Sequence, residues 1–360
     1  MRAGVLHGLG DLRVEDRPVP SCGPGEVLLE VAYNGLCGTD ASEYAKASLM
    51  VPLVSRHVAS GHLGPTILGH EFTGAVVAAG PGARSWVGRR VVCGAGVSCG
   101  DCAWCRRGRT NLCAGYFTLG LSTHGGLAEY VAAPAAVCRV VPDGCSDRDA
   151  ALAQPLAVGR HAVQRAGLRR GDSVIVLGVG AIGSFVLAAL RDHDGPVTAV
   201  DVDASRLPVA RALGATGGHT VPRDGAGWPE SLADPADVVF ETSGAQGAAA
   251  RAFAATARGG TTVLVGLQAR EQPLNLADLV LREIDVRTTV AHVCAVDLDA
   301  ALALLAARPL ARLLVDRVVP LARVVADGLA PLAAAAVPGK ILVDPCPVTP
   351  GSAADSPRGR

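Results

Sequence analysis

The sequence predicts an α/β protein of two domains, one β-rich and one a doubly wound parallel sheet. Three observations carry this expectation. The chain has 360 residues, and domains usually hold about 100–200. Its first 150 residues set short apolar runs between Gly and Pro turns, the texture of a β-rich unit. From about Asp172, strand-like and helix-like segments alternate strictly, which implies parallel strands with helices on both faces.

In the first unit, Val27–Val31 and Gly74–Val77 read as strands. In the second, Ser173–Leu177 is a continuous apolar run of strand length, and Ile182–Leu190 has the composition of a helix. Val197–Val200 is the next strand and Ser205–Leu213 the next helix. Val238–Phe240, the Ala-rich stretch Ala245–Arg258 in the helix position, and Thr261–Val265 continue the alternation. Lys340–Val343 is the last strand-like run. A Pro/Ser/Gly tail begins at Pro345, and 347–360 are expected to be disordered. The chain contains no internal repeat.

Composition narrows the function classes. Apolar residues make up 49% and charged residues 18%, enough for sizeable cores. Thirty-three basic and 33 acidic residues cancel, so no broad field would draw nucleic acid or an anionic membrane. No apolar run approaches the ~18–20 residues of a membrane span. The first eight residues lack the basic and long apolar regions of a secretion signal, and a cytoplasmic location is expected. Eleven cysteines, an odd number, fit poorly with a paired disulfide framework. Five of them crowd between Cys93 and Cys113, a cluster that favours a metal site over bridges. Only two lysines, Lys46 and Lys340, stand among the 33 basic residues.

Two motifs have chemical content on their own. Cys99, Cys102, Cys105 and Cys113 offer four thiolates at spacings that can close a tetrahedron around Zn²⁺. With every position filled by sulfur, such a site would pin a lobe and take no direct part in catalysis; the alternative is a set of free or redox-active thiols. Cys93 lies outside the spacing and reads as a small buried apolar residue. The second motif, Gly178-Val-Gly180-Ala-Ile182-Gly183, follows a strand and opens a helix, the context that a dinucleotide loop requires. Gly178 would make the turn, Gly180 would admit a pyrophosphate, and Gly183 would let helix and strand pack closely. Asp201 closes the next strand 23 residues after Gly178. A carboxylate there accepts ribose hydroxyls and repels a 2′-phosphate, favouring NAD(H) over NADP(H). Arg206 argues mildly the other way, Asp203 competes for the carboxylate role, and a ligand-free glycine turn is the plainer reading. A third set is dispersed and diagnostic of nothing alone: Cys37-Gly-Thr39-Asp40, Gly69-His70-Glu71 and Gln154-Pro-Leu.

Taken together, from about Ala3 to Asp344, these motifs resemble the zinc-dependent medium-chain dehydrogenase/reductase family, in its polyol, threonine and 2,3-butanediol dehydrogenase branch. The 33-residue gap from Cys37 to His70 favours that branch. The resemblance implies a GroES-like catalytic domain from 1–156 and 291–346, with a structural-zinc lobe at about 93–115. A Rossmann NAD-binding domain would occupy 157–290, with the active site in the cleft between the two. It further implies that Cys37 and His70 hold a catalytic Zn²⁺ with Glu71 beside it, and that Cys99, Cys102, Cys105 and Cys113 hold a structural one. Gly178, Gly180, Ile182, Gly183, Asp201 and Arg206 would serve the cofactor. Thr39 would pass the substrate proton towards the cofactor ribose. The implied activity is hydride transfer between NAD(H) and a secondary alcohol or its ketone, in a homodimer or homotetramer whose other partners are small molecules.

Two positions depart from the family pattern. Gln154 stands where related members carry a metal-side Glu. The site therefore keeps about one more unit of positive charge, worth at most roughly 4 kcal/mol at ~4 Å and an effective dielectric of ~20. Zinc would be held less tightly, but a bound alcohol would be more acidic, unless Glu71 swings in to restore the charge. Ser42 stands where butanediol-type members carry a His that passes protons to solvent. Serine can relay through water but cannot store a proton, leaving water, His57 or His62 as the route. Two other readings stay open. One is a reductase with an altered or empty catalytic zinc site acting on an activated double bond, aldehyde or imine. The other is a non-catalytic nucleotide-binding protein.

Overall fold

The computed structural model describes residues 1–46, 50–223, 234–268 and 270–346, so the tail 347–360 lies outside the described residues. A six-stranded, all-parallel sheet runs in the order Gly217–Thr220, Val197–Asp201, Val174–Leu177, Ala236–Glu241, Thr256–Leu264, Asp285–Thr288. In chain order this reads third, second, first, fourth, fifth, sixth, so the order reverses at Val174–Leu177. A crevice opens at such a switch point outside the carboxyl ends of the strands. The central strand is buried along its length, which its unbroken Val/Ile/Leu run anticipates for a sheet covered on both faces.

The second large sheet has seven strands and mixes the two ends of the chain. Its order is Cys138–Val140, Arg90–Cys93, Glu71–Ala79, Glu26–Leu36, Lys340–Asp344, Val315–Pro320, with Tyr130–Pro134 also paired to Glu26–Leu36. A smaller sheet joins Arg2–Gly8, Asp11–Asp16 and Thr66–Ile67. Among the described residues no helix is long and apolar enough to cross a membrane.

Two local expectations need adjustment. The helix read over Ala245–Arg258 spans only Ala248–Ala254, and Thr256 already begins a strand. Thr256 and Thr262, buried and bonded to each other at 2.6 Å, belong to that strand, so β-branched residues outweigh the alanine composition. The segment Ser205–Leu213 opens as a 3₁₀ turn, Ala204–Arg206, before the helix Leu207–Ala212. The Asp203 carboxylate caps it by accepting the Ser205 N–H. Residues 156 and 157 both lie in one helix, Ala153–Ala166. It lies against the helix Ala181–Ala189 so closely that a Cβ on Gly159 would fall 2.7 Å from the Phe185 backbone.

The chain passes between the two sheets twice, through this crossing helix and through residues 289–298. The two passages meet in a buried polar junction. His161 on the helix bonds Asp297 through Nδ1 at 2.9 Å, and His292 lies beside them, 3% exposed. Burial pushes the His292 imidazole down to about 4; Asp297 resists this, while His161 and Arg139 assist it. The native state therefore binds this proton about 2.5 units later than an unfolded chain, so stability is complete above pH 6.5 and falls until about pH 4. We predict that this group costs up to about 3 kcal/mol across that window. Urea unfolding of His292→Leu should show a correspondingly shallower acid dependence than the parent.

Candidate active site and metal centres

Strand register assembles the first pocket. Where Glu26–Leu36 pairs with Glu71–Ala79, Gly35 faces Glu71. Where it pairs with Lys340–Asp344, Leu36 faces Ile341. Cys37 directly follows the first strand, His70 precedes the second and Lys340 opens the third. Two antiparallel registers thus gather four chemically active side chains at one end of the sheet. Donor atoms of Cys37, His70 and Glu71 lie within 4.8 Å of one another. A glycine is needed at position 35, because a Cβ there would sit 2.5 Å from Glu71 Oε2 and 3.3 Å from Lys340 Cε.

The electrostatics of this pocket are unusual. The Lys340 ammonium is ion-paired with Glu71 Oε2, and their side chains are only 4% and 1% exposed. His70 Nδ1 lies 3.4 Å from Asp40 Oδ1, and Asp40 Oδ2 accepts the Cys37 backbone N–H at 2.9 Å. Burial opposes the charging of His70, yet Asp40 and then Cys37 outweigh it and raise the imidazole well above its ordinary range. Burial likewise works against the Lys340 charge, and Glu71, Cys37 and Asp40 outweigh it. A pocket that raises both bases is strongly negative, a field that a divalent cation would neutralise. With Nδ1 turned to Asp40, His70 has Nε2 for a metal, the carboxylate–histidine arrangement that fixes a ligating ring. Cysteine, histidine and carboxylate form a donor set suited to catalytic zinc, so these residues fit that ion.

The neighbouring site residues lie as follows. Thr39 and Ser42 lie on the helix Gly38–Ala45, and the Cys37 thiol donates to Thr39 Oγ1 at 3.8 Å. Gln154 is buried in the first turn of the crossing helix. His57 accepts the Ser60 N–H, and His62 sits 2.9 Å from Thr66 Oγ1 and edge-on to His124. Both histidines therefore have partners within the insertion. Sequence reasoning missed the parts of Asp40 and Lys340. Asp40 was in view inside the Cys-Gly-Thr-Asp string. Lys340 carried a signal as one of two lysines in a chain that otherwise uses arginine.

The second cluster lies in a separate lobe, where Cys99, Cys102, Cys105 and Cys113 converge. Cys102 and Cys105 sulfurs are 3.6 Å apart, and those of Cys113 and Cys99 are 3.4 Å apart. Zinc–sulfur bonds of about 2.3 Å give a tetrahedral edge of about 3.8 Å, so the four thiols fit one zinc ion. Backbone N–H groups of Cys99, Cys102 and Gly115 donate to these sulfurs, and backbone amides, that of Cys105 foremost, bring Cys102 down to about 6. Among the described residues these two groups alone could hold a metal.

The glycine loop follows the strand at the switch point. Gly178 has φ +93°, and a Cβ there would fall 2.9 Å from Ser243 Cβ. A Cβ on Gly183 would lie 1.8 Å from the Gly178 carbonyl oxygen, so helix and strand could not approach as they do. At Gly180 the nearest protein atom to an added Cβ is Arg206 Nη1, 3.7 Å away; the side of the loop is open to a ligand. Asp201 ends its strand, accepts the Val179 and Asp203 N–H groups at 2.6 and 2.9 Å, and has Arg206 Nη1 at 3.4 Å. Ile182, in the first helical turn, packs against the core. A cavity beside the loop is lined by Val179, Gly180, Ser184, Arg206, Gly339 and Lys340. Lys340 thus touches the metal pocket and the loop cavity at once.

Comparisons with known proteins agree with this geometry. An alcohol dehydrogenase GroES-like domain model matches residues 23–143, and a zinc-binding dehydrogenase model matches 181–307. The sorbitol dehydrogenase of Bacillus subtilis (strain 168) is 32% identical over 295 residues, covering 79% of this chain and 81% of that protein. The structure of 2R,3R-butanediol dehydrogenase from Bacillus subtilis superposes with TM-score 0.87 at 29% identity, covering 96% of this chain and 99% of that one. A Sinorhizobium meliloti 1021 protein bound to NADP superposes with TM-score 0.83 at 27% identity, covering 96% and 99%.

Removing one partner of a buried pair strands the other's charge, at a cost of about 3–5 kcal/mol. Lys340→Met is therefore expected to lose stability of that order in urea unfolding. The double variant Lys340→Met/Glu71→Gln should recover most of the loss.

Proposed function

The chain belongs to the zinc-dependent medium-chain dehydrogenase/reductase family of oxidoreductases, and from that premise we propose that it moves a hydride between NAD(H) and a secondary alcohol or its ketone. The substrate class we assign is a polyol, a diol or an aminocyclitol-like intermediate. The observation that carries the reading is the convergence of Cys37, His70 and Glu71, with Asp40 behind the histidine. When bound, zinc supplies Lewis acidity towards the alcohol or carbonyl oxygen, and the nicotinamide ring supplies the hydride acceptor or donor.

The chain's own residues do the remaining work. Cys37, His70 and Glu71 hold the ion, and Cys99, Cys102, Cys105 and Cys113 hold a structural one. Lys340 balances Glu71, and Gln154 keeps the site more positive than a carboxylate would. The Thr39 hydroxyl takes the proton leaving the substrate hydroxyl while releasing its own towards the cofactor ribose, and Ser42 relays that proton on through water. Gly178, Gly180, Ile182 and Gly183 shape the cofactor loop, with Asp201 and Arg206 at the adenosine ribose. Domains of 1–156 with 291–346, and of 157–290, then meet along the cleft.

A homo-oligomer in the cytoplasm completes the reading. The strand Asp285–Thr288 is an open sheet edge, and Leu276, Val280, Leu281, Val286 and Val290 beside it are exposed, a surface that second-copy pairing would cover. A second enzymatic reading has one observation in its favour: with Glu71 engaged by Lys340 and a neutral Gln154, few free anions remain to hold a catalytic ion. That reading is a reductase with the site empty.

Metal analysis with an activity screen separates the two. We expect two zinc ions per chain, falling to one in Cys37→Ser, and NADH formation from a panel of secondary alcohols and polyols with NAD⁺. One zinc that survives Cys37→Ser, with no alcohol turnover, would favour the empty-site reductase. For cofactor choice, Asp201→Asn should narrow the NAD⁺ over NADP⁺ preference in kcat/KM by about tenfold. An unchanged ratio would remove Asp201 from that role.

A further inference from the structure

One buried network remains that neither metal site uses. It joins the four-cysteine lobe to both passages of the chain between the sheets. Asn111 lies in the lobe's 3₁₀ turn Thr110–Leu112, two residues before Cys113. Its amide Nδ2 donates to the Val290 carbonyl at 2.9 Å and lies 3.3 Å from His161 Nε2. An amide nitrogen has two hydrogens, and these two acceptors take both. His161 Nε2 must then be bare, which places the ring proton on Nδ1, facing Asp297 Oδ2 at 2.9 Å. The same Asp297 oxygen accepts the Val293 N–H at 2.7 Å. Asn111, His161 and Asp297 are 5%, 4% and 0% exposed, so each bond is made out of water, where losing a partner is most costly.

The segment held by this network has a strained backbone. Ala291 has φ +50°, a left-handed conformation that residues with a Cβ rarely adopt without external restraint. Bonds on either side supply the restraint, from Asn111 to the Val290 carbonyl and from the Val293 N–H to Asp297. Val290 follows the strand Asp285–Thr288 by two residues. That strand is parallel to its neighbours, so its carboxyl end lies on the same rim as the glycine loop at Gly178. Ligands of parallel α/β sheets bind outside that rim.

We propose that Asn111 is a positioning residue for the nicotinamide cofactor: it sets the 290–293 wall of the cofactor cleft from within the four-cysteine lobe, through the Val290 carbonyl and the His161–Asp297 pair. The lobe then has a task beyond its own stability. A folded lobe presents Asn111 at the point where the wall leaves the sheet, and His161 extends the grip to the crossing helix. The proposal rests on the family's nicotinamide cofactor and is independent of whether NAD(H) or NADP(H) is preferred.

The test uses the full-length, zinc-loaded protein and NADH as the probe, with binding followed by fluorescence. The parent must first bind NADH, and its failure to do so would overturn the cofactor reading itself. In Asn111→Ala, zinc content should equal that of the parent while the NADH Kd rises about tenfold. The KM for the alcohol at saturating cofactor should change less than about threefold. His161→Asn, which keeps a donor towards Asp297 and loses the atom facing Asn111, should weaken NADH in the same way. It also serves should Asn111→Ala fail to fold. The double variant should be no weaker than the worse single one, because both cut one path. Three results would overturn the proposal. They are an unchanged NADH Kd with zinc retained, additive losses in the double variant, and weakened binding found only alongside loss of lobe zinc.

Discussion

The organisation of the active region depends on one buried ammonium. Lys340 sits among Glu71, Cys37 and Asp40 with almost no access to water. Without it, three acidic groups would crowd a low-dielectric pocket. With it, Glu71 is neutralised in place and the remaining negative potential falls on Cys37 and the Asp40–His70 pair, where a dication is wanted. Lys340 is also among the residues that line the cavity beside the glycine loop. The donor pocket and the loop cavity therefore share a residue.

The register that delivers Lys340 also explains why this pocket needs no long-range loops. Cys37, His70 and Lys340 flank strand ends whose pairing is fixed by hydrogen bonds along Glu26–Leu36. A slip of one residue would turn every side chain to the other face and scatter the donors. Strand register thus sets where these donors stand.

Much of this was legible in the chain. The alternation after Asp172, the glycine loop and the four-cysteine spacing each combine local chemistry with local sequence, so the parallel sheet, the loop and the lobe could be read directly. The pieces that escaped are those created by pairing over long distances. Lys340 meets Glu71, and Asn111 meets Val290 and His161, only once sheets and crossings are assembled. An isolated asparagine or lysine carries no periodicity to mark it. The overlong helix at Ala245–Arg258 failed for a different reason. Alanine content argued for helix, and the buried pair Thr256–Thr262 argued for strand through packing that composition does not show.

The place of Lys340–Asp344 in the seven-stranded sheet has a consequence for biosynthesis. This last strand lies between Glu26–Leu36 and Val315–Pro320, in the interior of the sheet. On a ribosome, the parallel sheet of 174–288 can close while the chain is still growing, since all its strands are contiguous in sequence. The donor pocket has to wait, because Lys340, its balancing charge, is made after every strand of that sheet. Until then Gly35 and Leu36 present an unpaired strand edge, and Glu71 lacks its counter-ion. A ribosome stalled shortly before position 340 would hold a finished nucleotide unit beside an open, acidic half-sheet.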